Sequence, residues 1–121
     1  FAEISEISSN KRDIQFLREV TNIIDEHLDQ YNLDVNTIAS KMNMSRSKLY
    51  SKIKTLTGKS VVEFVLNYRL QRAAKLLVEG NLSIQEVMYI VGIESQSYFS
   101  KAFKNKFNMT PSQFVSKYKE N

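Results

Sequence analysis

Two short runs hold most of the side chains suited to gripping a polyanion. From Lys41 to Lys59 the charged residues are Lys41, Arg46, Lys48, Lys52, Lys54 and Lys59, with no acid among them. From Ser95 to Lys119 every charged residue is again basic, including Lys101, Lys104 and Lys106. Short hydrogen-bonding groups stand between these cations: Ser47, Tyr50 and Ser51 in the first run, and Ser95, Gln96, Ser97 and Ser100 in the second. Lysine and arginine neutralise phosphates, whereas amides, hydroxyls and cations pair with base edges in a groove. A solvated helix face explains one such run taken alone. Two acid-free runs at matching places in a repeated pattern favour a nucleic-acid surface.

Catalytic chemistry has little to work with. The single histidine, His27, lies among Asp25, Glu26 and Asp29; Asp25 and Asp29 share a helix face at i, i+4, and His27 points elsewhere. There is no glycine-rich phosphate loop, no HExxH and no Ser-His-Asp spacing, so the expectation is a binding domain with no cofactor and no metal. Cysteine is absent, which removes disulfides, thiolate zinc sites and thiol nucleophiles.

The basic runs are positioned by a duplicated unit. The pattern from Asp34 to Lys54 recurs from Ser83 to Lys104. Each copy reads as a short capped helix, a tight turn at Asn43 or Gly92, and a second helix that opens on serine and runs into lysines. That is a helix-turn-helix written twice. Leu49 and Ile53 in one second helix, and Phe99 and Phe103 in the other, take the buried face, leaving the polar face free for a DNA major groove.

The rest of the chain supports an all-α fold of about seven helices, since 3 Gly, 1 Pro and no alternating apolar runs give a sheet little support. Residues 1–10 read as a linker or tail, 11–59 as the first helix-turn-helix subdomain, 60–79 as a linking helix and 80–121 as the second subdomain. The net charge of +4 divides unevenly: residues 1–34 carry 3 basic and 8 acidic side chains, and 35–121 carry 14 basic and 5 acidic. The positive charge belongs to the duplicated part. No apolar run reaches the ~18 residues of a membrane span, and the start lacks a signal-peptide pattern, so a cytoplasmic setting without membrane contact is expected. The chain also lacks an initiating methionine, from which upstream domains are expected.

Helix boundaries are marked along the chain. The first helix is expected over about Lys11 to Gln30, with Ile14, Leu17, Val20, Ile24 and Leu28 as its apolar stripe. Asp34 and Ser45 read as N-caps. Capping boxes recur at Ser60 to Glu63, Ser83 to Glu86 and Thr110 to Gln113, the last with Pro111 at the first helical position. Gly58, Gly80, Gly92 and Asn108 fall where a left-handed residue ends a helix. From Ser60 to Glu79, Val61, Phe64, Val65, Tyr68, Ala73, Leu76 and Leu77 sustain an apolar face, with Arg69, Arg72 and Lys75 available around it and Gln71 facing solvent. At ~1.5 Å per residue this rod is roughly 30 Å long, close to the ~34 Å helical turn of B-DNA.

Three stretches together carry a family resemblance. Met44-Ser-Arg-Ser-Lys-Leu-Tyr-Ser-Lys-Ile-Lys-Thr-Leu-Thr-Gly58, then Tyr68-Arg-Leu-Gln-Arg-Ala-Ala-Lys-Leu-Leu77, then Ser97-Tyr-Phe-Ser-Lys-Ala-Phe-Lys104 with Phe107-Asn-Met-Thr-Pro111, closely resemble the AraC/XylS-type DNA-binding domain over residues 11–119. Lys54-Thr-Leu-Thr-Gly-Lys-Ser60 further resembles the output domains of Bacteroidetes hybrid two-component sensors. The resemblance implies a sequence-specific transcription regulator, usually an activator. Its two recognition helices enter adjacent major grooves of promoter DNA; it acts with RNA polymerase and answers to an upstream sensing or receiver domain.

Aligned on the family, the base-reading positions are Arg46, Ser47, Tyr50 and Ser51 in the first recognition helix and Gln96, Ser97, Ser100 and Lys101 in the second. Lys48, Lys52, Lys54, Ser95, Lys104 and Lys106 are the expected phosphate contacts. Gln96 suits adenine N6 and N7, and Lys101 guanine O6 and N7; Ser47 and Ser51 pair with almost any base edge. Alternatives stay open: Gln96 as a cap, Tyr50 as a core-edge ring, and the whole as a basic protein-interaction or non-specific nucleic-acid module. Asn43 and Asn108 replace a usual glycine, and Ile93 a usual phenylalanine.

Overall fold

The computed structural model describes residues 10–119, and these form seven α-helices and no strand. They are α1 Lys11–Glu26, α2 Val35–Lys41, α3 Arg46–Thr57, α4 Val61–Glu79, α5 Ile84–Ile90, α6 Gln96–Phe107 and α7 Pro111–Tyr118. The tail expected at the start lies, except for Asn10, outside the described residues.

Local sequence sets most helix ends. Asn10 Oδ1 accepts from the amides of Arg12 and Asp13 to start α1. Asp34 Oδ1 accepts from the Thr37 amide at 2.9 Å, and Ser45 and Ser95 hydroxyls accept from Lys48 and Tyr98 amides at 3.1 and 3.2 Å. All three expected capping boxes form, each with an amide donating to the cap hydroxyl and the Glu or Gln side chain accepting from the cap amide. Asn43 and Asn108 take φ 55° and 62°, tolerated because asparagine pays little for the left-handed region.

These caps have a pH consequence. Hydrogen bonds from Thr37 hold Asp34 below its usual carboxylate range, and those from Ser60 and Ser83 do the same for Glu63 and Glu86. A carboxylate whose folded pKa is depressed contributes stability above its unfolded pKa and loses it as pH falls through the folded value. Urea midpoints should therefore fall with acidification below the ordinary values of 3.8 for Asp and 4.5 for Glu. Glu63→Gln/Glu86→Gln keeps the box geometry, as Gln113 shows, and should flatten that fall. An unchanged pH profile in the double variant would sink this account.

The first helix corrects the sequence reading: α1 stops at Glu26, four residues before Gln30. His27 closes it, its amide turning back to the Ile24 carbonyl and its Nδ1 lying 2.9 Å from the Ile23 carbonyl. Beyond it, the carbonyls of Leu28 and Gln30 are taken by the guanidinium of Arg69. A continued helix needs its carbonyls for amides four residues on; here two of them serve a residue some forty positions away. Ile14 is only half-buried, whereas Phe16, Thr21 and Ile23 join the buried stripe.

The chain divides into two compact units. Among the described residues, one comprises 10–27 together with Leu33–Leu66; the other comprises Leu28–Asn32 and 67–119. The division thus falls inside α4, which runs unbroken across it. In the first unit Leu17, Val20, Ile24, Ile38, Leu49, Ile53 and Val61 make an aliphatic core. In the second, Phe99 and Phe103 occupy the places of Leu49 and Ile53, fifty residues on. Phe103 meets Phe107 at 4.6 Å and Phe114 edge-on at 5.2 Å between ring centroids.

Arg69 is the second departure from expectation. Rather than lying around the rod, it is 5% exposed. Its Nη1 donates to the carbonyls of Leu28 and Val91 and its Nη2 to that of Gln30 at 2.7 Å. Burial lowers its pKa and the charge of Asp29 opposes that shift. A guanidinium's rigid fork suits it to gather several carbonyls in one place. Gln71, expected to face solvent, is half-buried.

Candidate nucleic-acid interface

Each pair α2–α3 and α5–α6 is joined by a left-handed turn of the same design. In the first, the amides of Asn43 and Met44 bond the carbonyls of Ser40 and Ala39; in the second, those of Gly92 and Ile93 bond Tyr89 and Met88. The second turn is one residue longer, Val91 to Ser95 against Met42 to Ser45, so the repeat is offset by 49 residues before the turn and 50 after it.

The fifty-residue register gives α3 and α6, each within its own unit, equivalent exposed positions. Leu49 and Ile53, or Phe99 and Phe103, are fully buried. Opposite them Ser47, Ser51 and Lys54 on α3, and Ser97, Lys101 and Lys104 on α6, are exposed at i, i+4 and i+7. Such a stripe is about 10 Å long, roughly three base-pair steps. Arg46 and Gln96 are exposed beside it, Lys48 is exposed on its other shoulder, and Tyr50 and Ser100 are half-buried. The Arg46 guanidinium carbon lies 6.0 Å from the centroid of the Tyr50 ring, which gives that ring a local partner.

At the start of α6, the cap is Ser95, whose hydroxyl serves the Tyr98 amide and lies 3.3 Å from that of Ser97. Gln96 is the first helical residue, exposed and without a hydrogen bond among the described residues, so its amide is available to a ligand. Lys48, Lys101 and Lys104 are likewise exposed.

Three expected phosphate contacts have other partners. Lys54 Nζ donates to the Gly58 carbonyl at 2.9 Å, satisfying the end of α3, though it remains exposed. Lys52 is half-buried with Nζ 4.4 Å from the centroid of the Phe16 ring. Lys106 turns toward α4 and donates to Asn67 Oδ1. The structure does not bring Lys52 or Lys106 into the outward stripes. Conversely, Tyr98, passed over in the sequence, is 51% exposed at the place where α3 carries Lys48. The fifty-residue register would have revealed it. Among the described residues no group of three metal-ligating side chains forms.

Comparison with known proteins gives a consistent picture. The family model described as "Helix-turn-helix domain" matches residues 38–117. A transcriptional regulator from Chromobacterium violaceum, described as an AraC-type DNA-binding domain-containing protein, superposes with TM-score 0.80 at 27% identity, covering 89% of this chain and 96% of that one. The DNA-binding domain of the transcriptional factor AdpA, solved with a target DNA, superposes with TM-score 0.74 at 27% identity over 84% of this chain and 91% of that one. Histidine kinase P4 of Formosa agariphila is 38% identical over 96% of this chain, which spans only 8% of that protein. The chain spans 40% and 36% of two further curated relatives.

Proposed function

This chain belongs to the AraC-type helix-turn-helix family and is a DNA-binding domain of the transcription-regulator kind; on that premise we propose that it reads promoter DNA with α3 and α6 in adjacent major grooves. The observation that carries this is the repeated outward stripe: the same exposed positions, fifty residues apart, in two acid-free helices that open on capped serines. Functionally, 11–59 and 80–121 act as the two reading subdomains and 60–79 as the link, with the length of α4 as its support. Gln96 and Lys101 are the specific readers, with Arg46, Ser47, Tyr50, Ser51, Ser97 and Ser100 beside them. Lys48, Lys54, Ser95 and Lys104 hold phosphate; Lys52 and Lys106 join only on leaving their present partners.

We further propose that the domain activates transcription in the cytoplasm with RNA polymerase, as the output end of a hybrid two-component regulator. The 38% identity to a histidine kinase of which this chain spans only 8% supports this last point.

The test is binding to a selected duplex and to random duplex across a salt series. For ~6 phosphate contacts the slope of log K against log salt should be about −5. Lys101→Ala should erode preference at particular base pairs, whereas Lys104→Ala should weaken every sequence alike and flatten the slope by about one. A selected-to-random ratio near one would replace specific reading by general nucleic-acid binding.

A further inference from the structure

The second unit has a cleft of about 260 Å³ that no residue of the α6 stripe lines, formed by the connection after α1, by α5 and by the turn that follows it. Met88 and Ile93, both buried, form its floor, and Asp29, Tyr31, Tyr89 and Glu94 stand around it. Tyr31 is 64% exposed and Tyr89 75% exposed. Elsewhere in this unit the phenylalanine rings of α6 and α7 stack on one another, whereas Tyr31 and Tyr89 exceed even Tyr98 at 51% and Tyr118 at 45% in exposure. The fold does not require Tyr89: its counterpart 49 residues earlier is Ser40, on an otherwise equivalent helix.

Charge sets this cleft apart from the DNA-facing surface. No lysine or arginine occurs between Lys75 and Lys101, a stretch that contains all of α5 and both turns beside it, nor between Arg18 and Lys41. The cleft is therefore built from the two cation-free parts of the chain. Arg69 lies beneath Gly92, with both terminal nitrogens committed to three backbone carbonyls. Glu94 is exposed and makes no hydrogen bond or ion pair among the described residues. A phosphate backbone would be repelled here. A guanidinium would find a carboxylate for bidentate pairing, phenol faces for stacking, and an apolar floor for its methylene stem.

We propose that this cleft is a docking site for an arginine-bearing segment of a partner protein, engaged beside the second helix-turn-helix while α6 is on DNA. Engagement while α6 is on DNA rests on the function proposed above, whereas arginine binding by the cleft is tested without DNA and by variants outside the stripes.

The test is an NMR titration of the whole chain, free of DNA and at low salt, with N-acetyl-arginine methylamide as probe and the lysine and leucine analogues as comparisons. Saturable shifts on the order of millimolar probe are expected at Tyr31, Tyr89 and Glu94. They should be stronger for arginine than for lysine and absent for leucine. Tyr89→Ser and Glu94→Gln, at exposed positions that leave the fold intact, should each weaken the probe at least about fivefold and leave duplex affinity unchanged. The proposal is overturned if the shifts spread evenly over exposed carboxylates such as Asp25 and Glu86. It is equally overturned if arginine and lysine are indistinguishable, if Tyr89→Ser has no effect, or if the same signals move with protein concentration alone, which would mark self-association.

Discussion

Arg69→Ala should lower the unfolding free energy by about 3–5 kcal/mol, because removing a buried cation strands the carbonyls that it served. Those carbonyls are Leu28, Gln30 and Val91, drawn from the connection after α1 and from the second turn. Water entering the vacated space would recover part of the loss, which keeps the expected value below the sum of three charged hydrogen bonds. Urea denaturation followed by circular dichroism measures it.

Gly92 offers a matched test of the same contact. A Cβ there would lie 2.0 Å from Arg69 Nη1 and 2.4 Å from the Leu28 carbonyl oxygen, whereas a Cβ at Gly58 meets nothing within 4 Å. Both glycines have positive φ, so both alanine variants carry the left-handed cost of about 1–2 kcal/mol. Gly92→Ala alone adds a collision with a fixed guanidinium and a backbone oxygen, and should be the more damaging by several kcal/mol. Combined with Arg69→Ala it should cost less than the sum, since one obstacle has gone. Equal costs for Gly58→Ala and Gly92→Ala would mean that Arg69 does not pack against this turn.

Gln71→Pro should reduce affinity for a two-groove site by about 100-fold or more, while Gln71→Ala binds within a few-fold of the parent. Proline at 71 removes a helical donor and collides with the carbonyl of Asn67, where the second unit begins. The local cost is about 3 kcal/mol. With α4 broken, binding of one recognition helix no longer delivers the other at high effective concentration. The alanine control covers the loss of the half-buried amide itself. Footprinting should contract from two adjacent major grooves to one. A folded proline variant with full affinity and an unchanged footprint would leave recognition to one unit alone.

What could be read from residue order follows a physical rule. A cap, a capping box or a left-handed stop is settled by groups within about four residues, so Asp34, Ser45, Ser83, Thr110, Asn43 and Asn108 were legible as they stand. The buried faces of α3 and α6 were legible for the same reason: helical period alone sets Leu49 with Ile53 and Phe99 with Phe103, and leaves Ser47, Ser51, Ser97 and Lys101 opposite.

Side chains that reach out of their own helix were not legible. Lys52 over Phe16 and Lys106 on Asn67 looked like two more lysines in basic runs. The exposed pair Tyr31 and Tyr89 came together only through folding, from positions far apart in the chain.

Seven helices, the duplicated unit and the polar stripes follow from residue order alone, because each rests on backbone hydrogen bonds and periodicity that close locally. Where α1 ends, what Arg69 does and which lysines remain exposed were set by long-range packing. Those outcomes depend on carbonyls and rings brought together across 22 to 41 residues, as between Arg69 and Val91 or Leu28. Such contacts are decided by which groups share one desolvated place, and adjacency in the chain carries no record of that.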